Sequence, residues 1–122
     1  MHSGDSNSNK LYDLTTIYAI CDRNPQFLDK LIKVFAENVL SDLETMKNGS
    51  SRGDWSEVGQ VAHKMKPSLN HFGINSLKDT ILTLEHPVNV NQEQLAWMVV
   101  EVERVVHQVL EELKVEFPNV LV

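Results

Sequence analysis

A histidine followed closely by two lysines is the part of this sequence best suited to chemistry. His63 is followed by Lys64 and then by Lys66. The unperturbed pKa of histidine is about 6.5, so a neutral ring nitrogen is available near pH 7 and can attack phosphorus to form a phosphoramidate. Lys66 lies one helical turn along, where its ammonium can reach the phosphoryl oxygens. This spacing makes His63 a candidate nucleophile, with Lys66 suitably placed to pair with phosphoryl oxygens.

The helix that must carry His63 is expected to leave its ring in water. After Asp54, apolar residues recur in steps of three and four, as on the buried side of a bundle helix. They are Trp55, Val58, Ala62, Met65, Leu69 and Phe72. With 3.6 residues per turn, His63 projects about 130° away from the mean direction of this apolar side. The imidazole should therefore be accessible to a partner.

Small residues stand one turn before and one turn after the histidine. Gly59 and Pro67 leave the ring unscreened, although glycine costs about 1 kcal/mol and proline about 3 kcal/mol in a helix interior. Such local conflicts tend to mark functional sites. Pro67 cannot donate to the carbonyl of His63, which predicts a kink, while the phase of Leu69 and Phe72 predicts that the helix continues. The expected partner contacts around the ring are Ser56, Gly59, Gln60, Lys64, Pro67 and Asn70. For Lys64, an ordinary solvated charge is an equally good interpretation.

The stretch from Ala62 to Lys66, with a small residue at Pro67 and a glycine at Gly73, resembles the signature of histidine-containing phosphotransfer (HPt) domains. That signature reads as a small residue, histidine, any residue, an apolar residue, lysine, glycine and a later second glycine. Residues 12–35 are also similar to the start of the family, so the resemblance covers roughly residues 11–115. Pro67 departs from the usual glycine but keeps the position small.

The resemblance implies a phosphocarrier. His63 would accept a phosphoryl group from an aspartyl phosphate of a response-regulator receiver domain and donate it to another receiver. The receiver would supply the aspartate and a Mg²⁺ ion, and this chain would bind no cofactor. The sequence has no phosphate-binding loop or kinase motif, so autonomous kinase activity with ATP is not expected. Whether the chain is free-standing or part of a hybrid sensor histidine kinase stays open.

Length, net charge and cysteine content limit the possible domain number, binding partners and cellular location of the protein. The 122 residues suit one domain, and the formal net charge of −6 argues against nonspecific nucleic-acid binding. The single cysteine, Cys21, has no internal disulfide partner and is expected to be a buried core residue in a reducing compartment. No signal peptide or membrane-spanning stretch is visible. We expect a cytoplasmic location without direct membrane contact, including as the cytoplasmic domain of a membrane-bound sensor kinase.

Start and stop signals divide the chain into helices. A short helix should begin near Tyr12 or Asp13. Asn24 and Pro25 should open a long second helix that stops around residues 48–49. Capping boxes at Asp54-x-x-Glu57 and Asn91-x-x-Gln94 should open the histidine helix and the last helix.

Between those two helices, the spacing of apolar residues predicts one more helix. Ile74, Leu77, Ile81 and Leu84 should line its buried side, and the stretch Glu85-His86-Pro87 should end it. The predicted fold is all-α, an antiparallel four-helix bundle with a short additional N-terminal helix. The bundle should span residues 11–117, with a disordered tail or linker at 1–10 and a C-terminal tail at 118–122.

Two other classes of function remain at this level. The first is a bundle of the same fold that is not phosphorylated and serves as an adaptor or dimerisation module. The second is a helical-bundle enzyme, which would need acidic and histidine groups in a core that reads as apolar. A metal site is disfavoured, because His63 and His71 are not an i, i+4 pair and no cysteine cluster exists.

Overall fold

A computed structural model describes residues 10–121, and within this range all regular structure is helical. The elements are α1 (Thr15–Cys21), α2 (Pro25–Ser51), α3 (Trp55–His71), a 3₁₀ turn (Asn75–Leu77), α4 (Lys78–Glu85) and α5 (Gln92–Glu116). Helix α2 packs on α3, α3 on α4, α4 on α5 and α5 on α2, while α1 packs on α2. The predicted all-α four-helix bundle with a short N-terminal helix is confirmed. The tail predicted at residues 1–10 lies, except for Lys10, outside the described residues.

Helix starts follow the predicted caps. The Asn24 side chain accepts a hydrogen bond from the Phe27 N–H at 3.1 Å. Asn91 and Gln94 form a complete capping box at 2.8 and 2.9 Å. Asp54 accepts from the Glu57 N–H at 3.1 Å, but the Glu57 carboxylate pairs with Arg52, so only half of that predicted box forms.

Two predicted boundaries were wrong. Helix α2 continues to Ser51, because Gly49 is buried inside it where α2 meets the start of α3. A Cβ on Gly49 would lie 3.1 Å from the Val58 side chain, so this glycine serves close packing and does not end the helix. Helix α1 begins at Thr15, because the Asp13 carboxylate bonds both the N–H and the hydroxyl of Thr15.

The core is a single apolar cluster to which all five helices contribute. Ala62 and Met65 place the inner side of α3 in this cluster, and both are at most 1% exposed. Helix α3 continues through Pro67 to His71, as its apolar phase predicts. Cys21 is buried, as expected. Among the described residues, no helix is long and apolar enough to cross a membrane.

Candidate functional site

His63 lies on the outer side of α3 with 70% of its side chain exposed. Its helix neighbours Ala62 and Met65 fill the core and thereby fix the direction in which the imidazole points. The predicted accessibility of the ring therefore agrees with the structure.

Glu85 contacts both His63, the predicted phosphoryl acceptor, and Lys66, the residue predicted to stabilise the phosphoryl group. It is the last residue of α4, and its side chain is only 7% exposed. One carboxylate oxygen, Oε1, accepts a hydrogen bond from Lys66 Nζ at 2.9 Å. The other, Oε2, contacts Nδ1 of His63. From the sequence, Glu85 was predicted only as part of a helix-ending stretch, so this contact was missed.

Hydrogen bonds keep Glu85 ionised. The bond from Lys66, followed by the one to His63, holds the pKa of the Glu85 carboxyl below its ordinary value, although desolvation acts in the opposite direction. A carboxylate at Nδ1 selects the neutral tautomer that carries its proton on Nδ1. In that tautomer the free lone pair of the imidazole lies on Nε2.

Gly59 lets α4 come close enough for this arrangement. A Cβ at this position would lie 3.1 Å from the carbonyl oxygen of Leu84 and 3.4 Å from that of Glu85. Gly59 was predicted as a partner contact on an open face. The structure places Gly59 partly buried against the end of α4. The absence of a side chain at residue 59 therefore affects how close Glu85 lies to α3.

The other predicted contact residues lie on the surface of α3. Ser56, Gln60, Pro67 and Asn70 are all exposed. A shallow depression beside the ring is lined by Trp55, Ser56, Gly59, Gln60, His63, Glu85, His86 and Pro87. His86 is 78% exposed, and its Nε2 lies 3.8 Å from Oε2 of Glu85. Among the described residues, no cluster of three or more potential metal ligands occurs.

Lys64 is neither free nor simply solvated. Its Nζ lies 3.1 Å from Oδ1 of Asp42 on α2, although 74% of the lysine side chain stays exposed. The Asp42 side chain is largely buried, with 12% of its surface exposed. The sequence reading missed Asp42, although a carboxylate beside the apolar positions Val39 and Leu43 was a signal for a paired charge.

Comparison with known proteins adds one finding. A family model described as the Hpt domain matches residues 30–116. The matched range covers well over half of the chain, from α2 to α5, and includes His63, Lys66 and Glu85. Comparisons with curated proteins and with solved structures found no significant match.

Proposed function

The chain belongs to the Hpt domain family, whose role is histidine phosphotransfer in two-component phosphorelays, and we propose that His63 is the residue that carries the phosphoryl group. The observation that supports this proposal is the exposed imidazole whose Nδ1 is bonded to an ionised carboxylate. The donor and the acceptor are aspartates of receiver domains, each with its own Mg²⁺ ion.

The transfer is a displacement at phosphorus. The lone pair on Nε2 attacks the aspartyl phosphate, so that a P–N bond forms while the bond from phosphorus to the aspartate oxygen breaks. The aspartate leaves as a carboxylate, and the ring of His63 becomes cationic because Nδ1 keeps its proton. Glu85 lies against that proton and offsets the new positive charge. The reverse displacement passes the phosphoryl group to the aspartate of the next receiver.

Lys66 has two tasks in this scheme. In the unphosphorylated protein it pairs with Glu85 and keeps the carboxylate ionised and in place. Its side chain is 35% exposed, so the ammonium can turn toward phosphoryl oxygens once they are attached to His63. The bond between Lys66 and Glu85 therefore prepares the site before the phosphoryl group arrives.

The exposed surface of α3 is the proposed docking face for receivers. Four residues of this helix are exposed on either side of His63 along the chain: Ser56, Gln60, Pro67 and Asn70. Lys64 adds a positive charge while its bond to Asp42 ties α3 to α2. We place the protein in the cytoplasm, because its receivers act there and its single cysteine is unpaired.

The test is phosphoryl transfer from a panel of phosphorylated receiver domains to the wild type, to His63→Gln and to His71→Gln. His71 is a matched control, since it is an exposed histidine on the same helix. We expect acid-labile, base-stable label on the wild type and on His71→Gln, and none on His63→Gln. If no receiver labels a folded wild-type protein, the chain is an unphosphorylated adaptor instead.

A further inference from the structure

An apolar pocket of about 60 Å³ opens between α3 and α4, beside the phosphorylation site. Leu69, Ile74, Leu77 and Ile81 form its floor, and each of them is at most 3% exposed. The 3₁₀ turn Asn75–Leu77 separates α4 from the end of α3 and so leaves this space. The pocket is therefore a feature of the packed core that reaches the surface.

The rim of the pocket is partly charged. Lys66 and Asn70 of α3 stand on one side, with Lys78 and Leu82 of α4 on the other. Leu82 is 45% exposed. Lys78 is exposed and forms no ion pair with any residue of the range 10–121. Lys66 links the pocket to the His63 site. Its side chain lines the pocket, and its ammonium donates to the Glu85 carboxylate that contacts His63.

The apolar floor of the pocket favours an apolar side chain over water as its occupant. A buried water is stable only with two to four polar partners, and an aliphatic floor offers none. An apolar side chain can fill the same space and remove both its own surface and that of Leu82 from water. An acidic residue beside that side chain would meet the exposed ammonium of Lys78.

We propose that this pocket anchors the receiver domain by taking up one of its apolar side chains, with an adjacent acidic residue pairing with Lys78. This inference rests on the proposed function and names where the partner binds. The pocket residues of α3 lie one to two helical turns from His63, and Lys66 lines the pocket next to the His63 site. A receiver held at the pocket is therefore close enough to present its phosphorylated aspartate to Nε2.

The experiment compares Leu82→Glu with Val100→Glu. Val100 lies on α5 and is 48% exposed, which matches the exposure of Leu82 away from the pocket. With the receiver that transfers fastest, Leu82→Glu should raise KM about tenfold and leave kcat close to the wild-type value. Val100→Glu should change neither constant. Lys78→Glu should also raise KM, most strongly at low salt, whereas Lys114→Glu on α5 should not.

Phosphoramidate separates docking from chemistry, because this small donor labels the histidine directly and releases ammonia without any receiver. We expect equal labelling of the wild type, Leu82→Glu and Lys78→Glu. An unchanged KM in both variants would overturn the pocket assignment and leave the proposed function standing. If phosphoramidate labels Leu82→Glu and Lys78→Glu less than the wild type, the substitutions damage the His63 site itself. That result would also contradict the proposal that the pocket binds the receiver. If no receiver labels the wild type, both proposals fail.

Discussion

At the scale of single residues, the Glu85 carboxylate connects Lys66 to His63, the proposed phosphoryl acceptor. Its two oxygens are divided between Lys66 and His63, and its side chain is almost inaccessible to water. Such outer partners of a functional imidazole typically fix its tautomer and orientation. We therefore propose that Glu85 is a positioning residue for His63.

Replacing Glu85 with glutamine tests this role. Glu85→Gln keeps the shape of the side chain but removes the charge that offsets the cationic ring. We expect the single-turnover rate of phosphoryl transfer to fall about 10- to 100-fold. The ¹⁵N shifts of His63 should show a larger fraction of the tautomer that carries its proton on Nε2. Glu101→Gln, which removes an exposed carboxylate bonded to Arg104 on α5, is the control. Unchanged ¹⁵N shifts together with an unchanged rate would refute the positioning role.

We expect Glu85 also to make the free energy of unfolding depend on pH. The pKa of Glu85 is lowered in the folded protein, so the unfolded chain binds more protons as the solution is acidified. The stabilisation from Glu85 is therefore present above the ordinary carboxyl pKa of 4.5 and is lost as the pH falls through the lower folded value. Urea unfolding between about pH 6 and about pH 3 should show a steeper loss of stability in the wild type than in Glu85→Gln. Equal slopes would contradict this assignment.

At the scale of helices, the contact between α3 and α4 decides where Glu85 stands. The two helices form an antiparallel pair, and the close approach at Gly59 brings the last turn of α4 against the turn of α3 that precedes His63. A side chain at residue 59 would push on two backbone carbonyls, which cannot rotate away as a flexible side chain could.

Gly59→Ala should therefore separate stability from activity. Alanine favours the helix by about 1 kcal/mol, which offsets much of the strain from the contact with Leu84. The end of α4 must still move by a few tenths of an ångström, and Glu85 moves with it. We expect a slower transfer rate and altered ¹⁵N shifts of His63, with little change in the urea midpoint. Gln108→Ala, at an exposed position on α5 away from the docking face, is the control. A wild-type rate in Gly59→Ala would show that the site tolerates this shift.

At the scale of the whole molecule, the segment that precedes α1 closes one end of the bundle. The Asp13 N–H donates to the carbonyl of Phe72 at 3.0 Å, and the Tyr12 hydroxyl donates to Glu116 at 2.5 Å. Gly73 lies beneath this segment with a φ of +63°, and a Cβ there would come within 2.6 Å of the Asp13 carbonyl oxygen. This glycine thus has two reasons to be present, its backbone conformation and the space it leaves.

Two alanine variants distinguish these reasons. Gly53 has a similar φ of +70°, but a Cβ there would meet nothing within 4 Å. Gly53→Ala should lose only the left-handed backbone strain, about 1 kcal/mol of unfolding free energy. Gly73→Ala should lose about 2 to 4 kcal/mol, because the N-terminal segment must also move away. Urea unfolding measures both values. Similar losses would mean that the contact with Asp13 adds nothing to stability.

The helix caps, the buried side of each helix and the exposure of His63 could be predicted from the sequence, because each depends on interactions within a single helix. The caps at Asn24 and Asn91 and the exposure of His63 depend on residues within a few positions of one another. The spacing of apolar residues by 3.6 per turn also indicated which side of each helix is buried. The resemblance to the HPt family rests on the same short stretch around His63, and the family match agrees with it.

Only the tertiary structure decided which side chains meet between helices. Glu85 lies 22 residues from His63, and Asp42 lies 22 residues from Lys64. Residues 59 and 73 each look like a glycine placed for local reasons, yet both are pressed against backbone from another segment. Periodicity gives the direction of a side chain about its own helix axis, but not the distance or vertical offset of the neighbouring helix. The contact between the Glu85 carboxylate and His63 and the pocket between α3 and α4 both follow from that offset.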